Sequence, residues 1–192
     1  MRIKEVISQS IDLKTQLLND KELIKEIEEV AKLMVEAFRK GKKVLWCGNG
    51  GSAADAQHLA AEFSGRFYYD RPPLQSEALH VNTSYMTAVA NDYSYDVVYS
   101  RLVKAMGAEG DVIVGISTSG NSKNILLALE EGKEKGMTTV SFTGEGGGLM
   151  REKSDFIFAI PSKDTPRIQE CHIMIGHILC ELVEAELFPR IN

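Results

Sequence analysis

The chain predicts an α/β fold: a three-layer sandwich with a central parallel sheet of about five strands flanked by helices, preceded by two N-terminal helices. Three observations lead there. From Lys42 onward short apolar runs alternate with segments carrying apolar residues at helical spacing. Repeated βα units of this kind imply a parallel sheet covered on both faces. Finally, two strand-to-helix junctions, Gly48-Asn49-Gly50-Gly51-Ser52 and Ser117-Thr118-Ser119-Gly120-Asn121-Ser122, are rich in glycine and hydroxyls.

In order along the chain, Ile3, Val6, Ile7 and Ile11, then Ile24, Ile27, Val30, Ala31, Met34, Val35 and Phe38, mark two helices, with Asn19-Asp20 as the break and Gly41 as the stop. A strand follows over Val44 to Cys47, and a helix runs on from Ser52. Next come a strand near Ala78 to Val81 and a helix around Asp96 to Met106. The apolar run from Val112 to Ile116 is a buried strand, and a helix over 122 to 135 follows, capped by Asn121 or Ser122. Thr139 to Thr143 is a strand, Gly146-Gly147-Gly148 a turn, Phe156 to Ile160 the last strand, and Thr165 to Leu187 a long final helix. One domain spans 1–192, with no linker, repeat or low-complexity tract. The first 41 residues form a helical segment whose apolar face exceeds what one small sheet covers, which predicts packing on the domain and an oligomer interface.

Composition excludes several classes. A net charge of −5 gives no basic footprint, so neither nucleic acid nor an anionic membrane is an expected partner. The three cysteines, Cys47, Cys171 and Cys180, are odd in number and form no C-x-x-C pair, which points to a reducing compartment. The N-terminal stretch lacks the apolar core of a signal peptide, and no uncharged run approaches the ~20 residues of a membrane helix. A cytoplasmic location is expected.

The segment from Asp111 to Ile125 is the most informative. An apolar strand leads directly into a hydroxyl-rich turn and an amphipathic helix, so free backbone N–H groups and the positive end of the helix dipole face whatever sits above Ser117, Thr118, Ser119 and Ser122. Four hydroxyls suit the oxygens of a phosphate monoester. No lysine follows in the Gly-Lys-Ser/Thr order that a nucleoside triphosphate requires, so a small phosphorylated metabolite fits better than ATP. The other reading is an ordinary turn with a good cap. The first glycine loop satisfies the loose G-x-G-x-x-G/A pattern, yet the second strand ends in His80-Val81-Asn82 without the acidic residue a dinucleotide needs. It reads instead as a second polar floor, offering the Asn49 amide and the Gly50 and Gly51 N–H groups to sugar hydroxyls, with Ser52 capping the helix. Both loops lie beyond the carboxyl ends of strands and can share one ligand.

His58 and Glu62, at i and i+4, project from one helix face about 6 Å apart, a spacing with which an imidazole and a carboxylate hold one metal or simply hydrogen bond in solvent. The last helix adds Arg167, Gln169, Glu170, His172 and His177. Gln169 and His177 are separated by roughly 12 Å of rise and about 80° of rotation, so their convergence on one ion strains a single helix, and contributions from two subunits relieve it. His172 and His80 also read as packed core or strand-end residues.

Taken together, Cys-Gly-Asn-Gly-Gly-Ser, His58-x-x-x-Glu62, Gly65-Arg66, Asn91-Asp92, Ile-Ser-Thr-Ser-Gly-Asn-Ser and Arg167-Ile168-Gln169-Glu170 resemble the phosphoheptose isomerase family across nearly the whole chain. The resemblance implies the sugar isomerase (SIS) fold, a homotetramer with sites between subunits, and conversion of sedoheptulose 7-phosphate to D-glycero-D-manno-heptose 7-phosphate for heptose-containing glycans. It implies phosphate contacts from Ser117, Thr118, Ser119 and Ser122, and sugar contacts from Asn49, Gly50, Gly51, Glu62, Asn91, Asp92 and Gln169. It further implies one zinc ion per subunit on His58, Glu62, Gln169 and His177.

Ketose-to-aldose conversion needs a base for the C1 proton and a group that moves protons among the oxygens. Glu62 and His177 are the candidates, since each role needs a side chain able to take up and give back a proton. The rival from another class is a non-catalytic protein of the same fold that binds the bacterial replication initiator and lacks the equivalents of Glu62 and His177. Both are present here, which favours the enzyme. A further alternative is an isomerase or sensor of another sugar phosphate.

Overall fold

The computed structural model describes residues 2–190. Helices α1 (Arg2–Asn19) and α2 (Lys21–Arg39) precede β1 (Val44–Gly48), α3 (Gly51–Ser64), β2 (Ser76–Ala78), α4 (Thr83–Asp92), α5 (Val98–Met106) and β3 (Val112–Ser117). Helix α6 (Lys123–Glu134), β4 (Thr138–Thr143), β5 (Phe156–Ala159) and α7 (Thr165–Leu187) complete the chain, with single 3₁₀ turns at Tyr95–Val97 and Gly148–Glu152. The sheet order is β2-β1-β3-β4-β5, and all four ladders are parallel. The expected five-stranded parallel α/β sandwich with two leading helices is the observed architecture.

Alternation along β1 shows how the layers form. Val44 and Trp46 point into a core closed by α2, α3 and α7, while Leu45 and Cys47 point into a second core closed by α5 and α6. Trp46 stacks over Phe63 and meets Phe142 edge-on, and its indole N–H donates to Ser76 Oγ at 2.9 Å, so the large ring is buried with its polar atom satisfied. The Asn19-Asp20 break is real: Asp20 caps α2 by accepting from the Leu23 N–H. Gly41, at φ 67°, follows the end of α2 in the left-handed conformation.

Helix α4 was not anticipated. Asn82 caps it by accepting from the Tyr85 N–H, but Val89 is its one buried residue, so there is no apolar stripe in the sequence to reveal it. The second strand also lies earlier than expected, because register with β1 pairs Val44 with Ser76 and Trp46 with Ala78. No described helix is long and apolar enough to cross a membrane.

Candidate active site

Both glycine- and hydroxyl-rich loops emerge at the carboxyl edge of the sheet, from the adjacent strands β1 and β3. In the second loop Ser117 Oγ lies 2.9 Å from Ser122 Oγ and 3.3 Å from Ser119 Oγ, so three of the four predicted hydroxyls converge. The loop is fixed by backbone bonds: Gly120 N–H donates to Ser117 O, and Gly144 N–H donates to Thr118 O. Ser122 occupies the N-cap position of α6 but makes no side-chain cap bond. Its hydroxyl is committed to Ser117, which corrects the capping role expected of it. Asn121 does not cap α6 either; its side chain reaches across the loop, accepting from Leu149 N–H and donating to Ser119 O. The expected cap at Ser52 is likewise absent. Gly50, at φ 57°, is the N-cap of α3, and Ser52 lies buried one position inside the helix.

A side-chain network joins the two loops. Asn49 and Asn124 exchange amide hydrogen bonds at 2.9 Å each, and Tyr95 donates its hydroxyl to Asn49 Oδ1 at 3.0 Å. Neither Asn124 nor Tyr95 was singled out from sequence, since each acts through a partner remote in the chain. Next to the hydroxyl loop lies a cavity of about 260 Å³ lined by Thr118, Ser119, Glu145, Ser162, Lys163 and Thr165.

The carboxylate and histidines meet where α3 crosses α7. Gly176 makes this possible: a Cβ there would collide with the Leu59 side chain, so its absence lets the helices approach until the residues beside that contact, His58 and His177, face each other. Their Nε2 atoms stand 3.0 Å apart, and His58 Nε2 lies 3.3 Å from Glu62 Oε1. Burial first, and then the neighbouring His58, hold the His177 pKa below the ordinary imidazole value, with Glu62 pulling the other way. At neutral pH His177 is therefore poised as a neutral imidazole. The end of α3 just beyond Glu62 is clamped by Arg71, which donates to the carbonyls of Glu62 and Phe63 at 2.8 and 2.6 Å and pairs with Glu184 at 3.1 Å. Glu184 also accepts from the Phe67 and Tyr68 N–H groups. Burial opposes the Glu184 carboxylate, yet these donors and Arg71 outweigh it and hold its pKa below the usual range.

The remaining predicted residues are placed separately. The Gln169 amide lies against Gly51, where a Cβ would sit 2.6 Å from its Nε2. Asn91 and Asp92 end α4 on the exposed surface; Asn91 Nδ2 donates to Asp92 Oδ1 at 3.0 Å, and among the described residues no hydrogen bond ties either to the loops. His172 is a core residue whose Nε2 faces Thr143 O at 3.0 Å, while its Nδ1 has no partner. As to metal, a tetrahedral zinc with bonds of about 2.0–2.1 Å needs donors about 3.3 Å apart, and the two separations around His58 match that scale. Two imidazoles and a carboxylate also have the right donor chemistry. Among the described residues, however, no group of three or more His, Cys, Asp or Glu comes together as a ready-made site. The fit is thus pairwise within one chain.

A parallel sheet with a hydroxyl cradle at its carboxyl edge is the setting of the SIS domain, and the family model of that domain matches residues 9–144. Phosphoheptose isomerases from Clostridium acetobutylicum and Aneurinibacillus thermoaerophilus are 53% and 54% identical over 186 residues each, covering 97% of this chain and 95% and 94% of theirs. The solved phosphoheptose isomerase from Neisseria gonorrhoeae superposes with a TM-score of 0.90 at 39% identity, over 96% of this chain and 97% of that one. The chain belongs to the phosphoheptose isomerase family of SIS-domain proteins.

Proposed function

We propose that this enzyme, an aldose-ketose isomerase, converts sedoheptulose 7-phosphate to D-glycero-D-manno-heptose 7-phosphate through a cis-enediol, at the start of heptose precursor biosynthesis. Ser117, Thr118, Ser119 and Ser122, with the N-terminus of α6, take the phosphate. Asn49, Gly50, Gly51, Asn91, Asp92 and Gln169 take the sugar chain. Glu62 removes a proton from C1 as His177 gives its N–H proton to the C2 carbonyl oxygen, and protonated Glu62 later returns its proton to C2. His177 then takes the O1 proton, and C2 is protonated to give the aldehyde at C1. The observation that carries this reading is the meeting of Glu62, His58 and His177 at one crossing of helices.

Zinc on His58, Glu62, His177 and Gln169 would supply Lewis-acid polarisation of the substrate oxygens. A carboxylate shared with a metal is a weaker base, so Glu62 serves best when its free oxygen faces C1. Site completion by a neighbouring subunit fits the pairwise donor arrangement, and a homotetramer also accounts for the apolar residues that α1 leaves exposed, Ile3, Ile7, Ile11 and Leu18. A cytoplasmic location suits such an enzyme.

The test is incubation with sedoheptulose 7-phosphate, following aldose formation by NMR, beside Glu62→Gln and His177→Gln. Turnover that collapses in both variants is expected. Turnover unchanged in both, or none from the wild type with zinc supplied, overturns the reading.

A further inference from the structure

The Arg167-Ile168-Gln169-Glu170 motif opens α7, and the reading above uses its glutamine alone. Ile168 is core: it is buried over Gly144, where a Cβ would lie 2.7 Å from its Cδ1. Arg167 and Glu170 are turned the other way, toward α1. One Arg167 Nη donates to the carbonyl of Val6 at 3.0 Å, and the other meets Glu170 Oε1 at 2.6 Å. The second Glu170 oxygen accepts from Ser10 Oγ at 2.7 Å, and Ser10 in turn accepts from Lys14 Nζ at 2.8 Å.

These bonds matter because, on the side of the first turn of α7 away from Ile168, little else holds it. Asp164 occupies the N-cap position without a side-chain cap bond, Pro166 removes a backbone donor, and 163–166 are exposed. Gln169 sits between the two anchored residues and lies against Gly51.

We propose that Arg167 and Glu170 are positioning residues, which use the Val6 carbonyl and the Ser10 hydroxyl of α1 as fixed points to set the rotation of the first turns of α7 and so seat Gln169 in the site. The N-terminal helix is then part of the site's scaffold as well as a surface for association. This rests on the assignment of Gln169 to the substrate or metal.

The test is a double-mutant cycle on the full-length protein, with Ser10→Ala and Glu170→Gln each made alone and combined with Gln169→Ala. Ser10→Ala removes one hydroxyl from a partly buried helix position and is expected to preserve the fold. A seating error at Gln169 lowers kcat, by about tenfold for a displacement well under 1 Å, and leaves KM within about twofold because the phosphate cradle is untouched. Once Gln169 is alanine, neither change on the anchor lowers kcat further. A drop of equal size in the Gln169→Ala background shows a merely structural role and overturns the inference. An unchanged kcat for both single variants also overturns it. Full activity in Gln169→Ala overturns the assignment of Gln169 itself, an outcome distinct from additive losses.

Discussion

His58 and His177, 119 positions apart in the chain, face each other Nε2 to Nε2 at 3.0 Å. Two such nitrogens at this distance hydrogen bond when one carries a proton and the other a lone pair, or they serve one metal. Zinc takes the lone pair of each Nε2, so the shared proton must move to an Nδ1. Metal-stripped protein is expected to bind about one zinc per chain. Loss of His177 in His177→Gln weakens binding beyond the 10–100-fold typical of outer-shell partners. Calorimetry measures both, and equal zinc affinity in wild type and variant counts against the pair as ligands.

Gly51→Ala probes the seat of Gln169. The new Cβ would stand 2.6 Å from Gln169 Nε2, the end of a flexible side chain, so the amide moves and the backbone does not. Activity is expected to fall about ten- to a hundredfold while the thermal midpoint shifts little. Equal activity with a swung-out Gln169 would remove that residue from the site.

The hydroxyl cradle makes a different demand. Ser122→Ala deletes a hydroxyl that shares a hydrogen bond with Ser117 Oγ at 2.9 Å. Hydrogen bonds to a charged group contribute about 1.5–3 kcal/mol, so KM should rise about tenfold or more with kcat nearly unchanged. Inhibition by inorganic phosphate should weaken in parallel, and a change in kcat alone contradicts a phosphate role.

Arg71 and Glu184 are both almost wholly buried, with side-chain exposures of 2% and 1%. Removing one partner leaves a buried charge unmatched, which costs about 3–5 kcal/mol. Urea unfolding of Arg71→Met should show a loss of that size, and a loss under about 1 kcal/mol would mean the loop relaxes to water.

His172 makes stability depend on acid. Burial, only partly offset by its bond to Thr143 O, lowers its pKa to about 4 in the fold, against about 6.5 in the unfolded chain. The unfolded state therefore binds the proton first: the contribution is fully present above about pH 6.5 and is lost progressively as pH falls toward 4. That amounts to about 3 kcal/mol. The gap between urea midpoints at pH 7 and pH 5 should be wider in wild type than in His172→Leu, and equal gaps would mean that His172 is not the titrating group.

How far these features were legible depends on the range over which each is encoded. The run Val112 to Ile116 and the hydroxyls after it announce a strand and a hydroxyl-rich turn before a helix within fifteen residues, because burial on both faces and a helix start leave local marks. The final helix, Thr165–Leu187, lies where its apolar period placed it, from about Thr165 to Leu187. Helix α4 was not legible, for want of a buried stripe. Ser52 and Ser122 were misread as caps, since a serine before a helix does not reveal whether its hydroxyl goes to the backbone or, like Ser122, to another side chain.

The order of strands and helices, the parallel sheet and the two polar loops were thus determined by the sequence alone, through signals that act between near neighbours. Only the tertiary structure decided that His58 meets His177, that Gln169 comes to rest on Gly51, and that α1 holds the first turn of α7. Each of these turns on the closeness of two elements far apart in the chain. That closeness is set by packing, as where the missing Cβ of Gly176 makes room for Leu59.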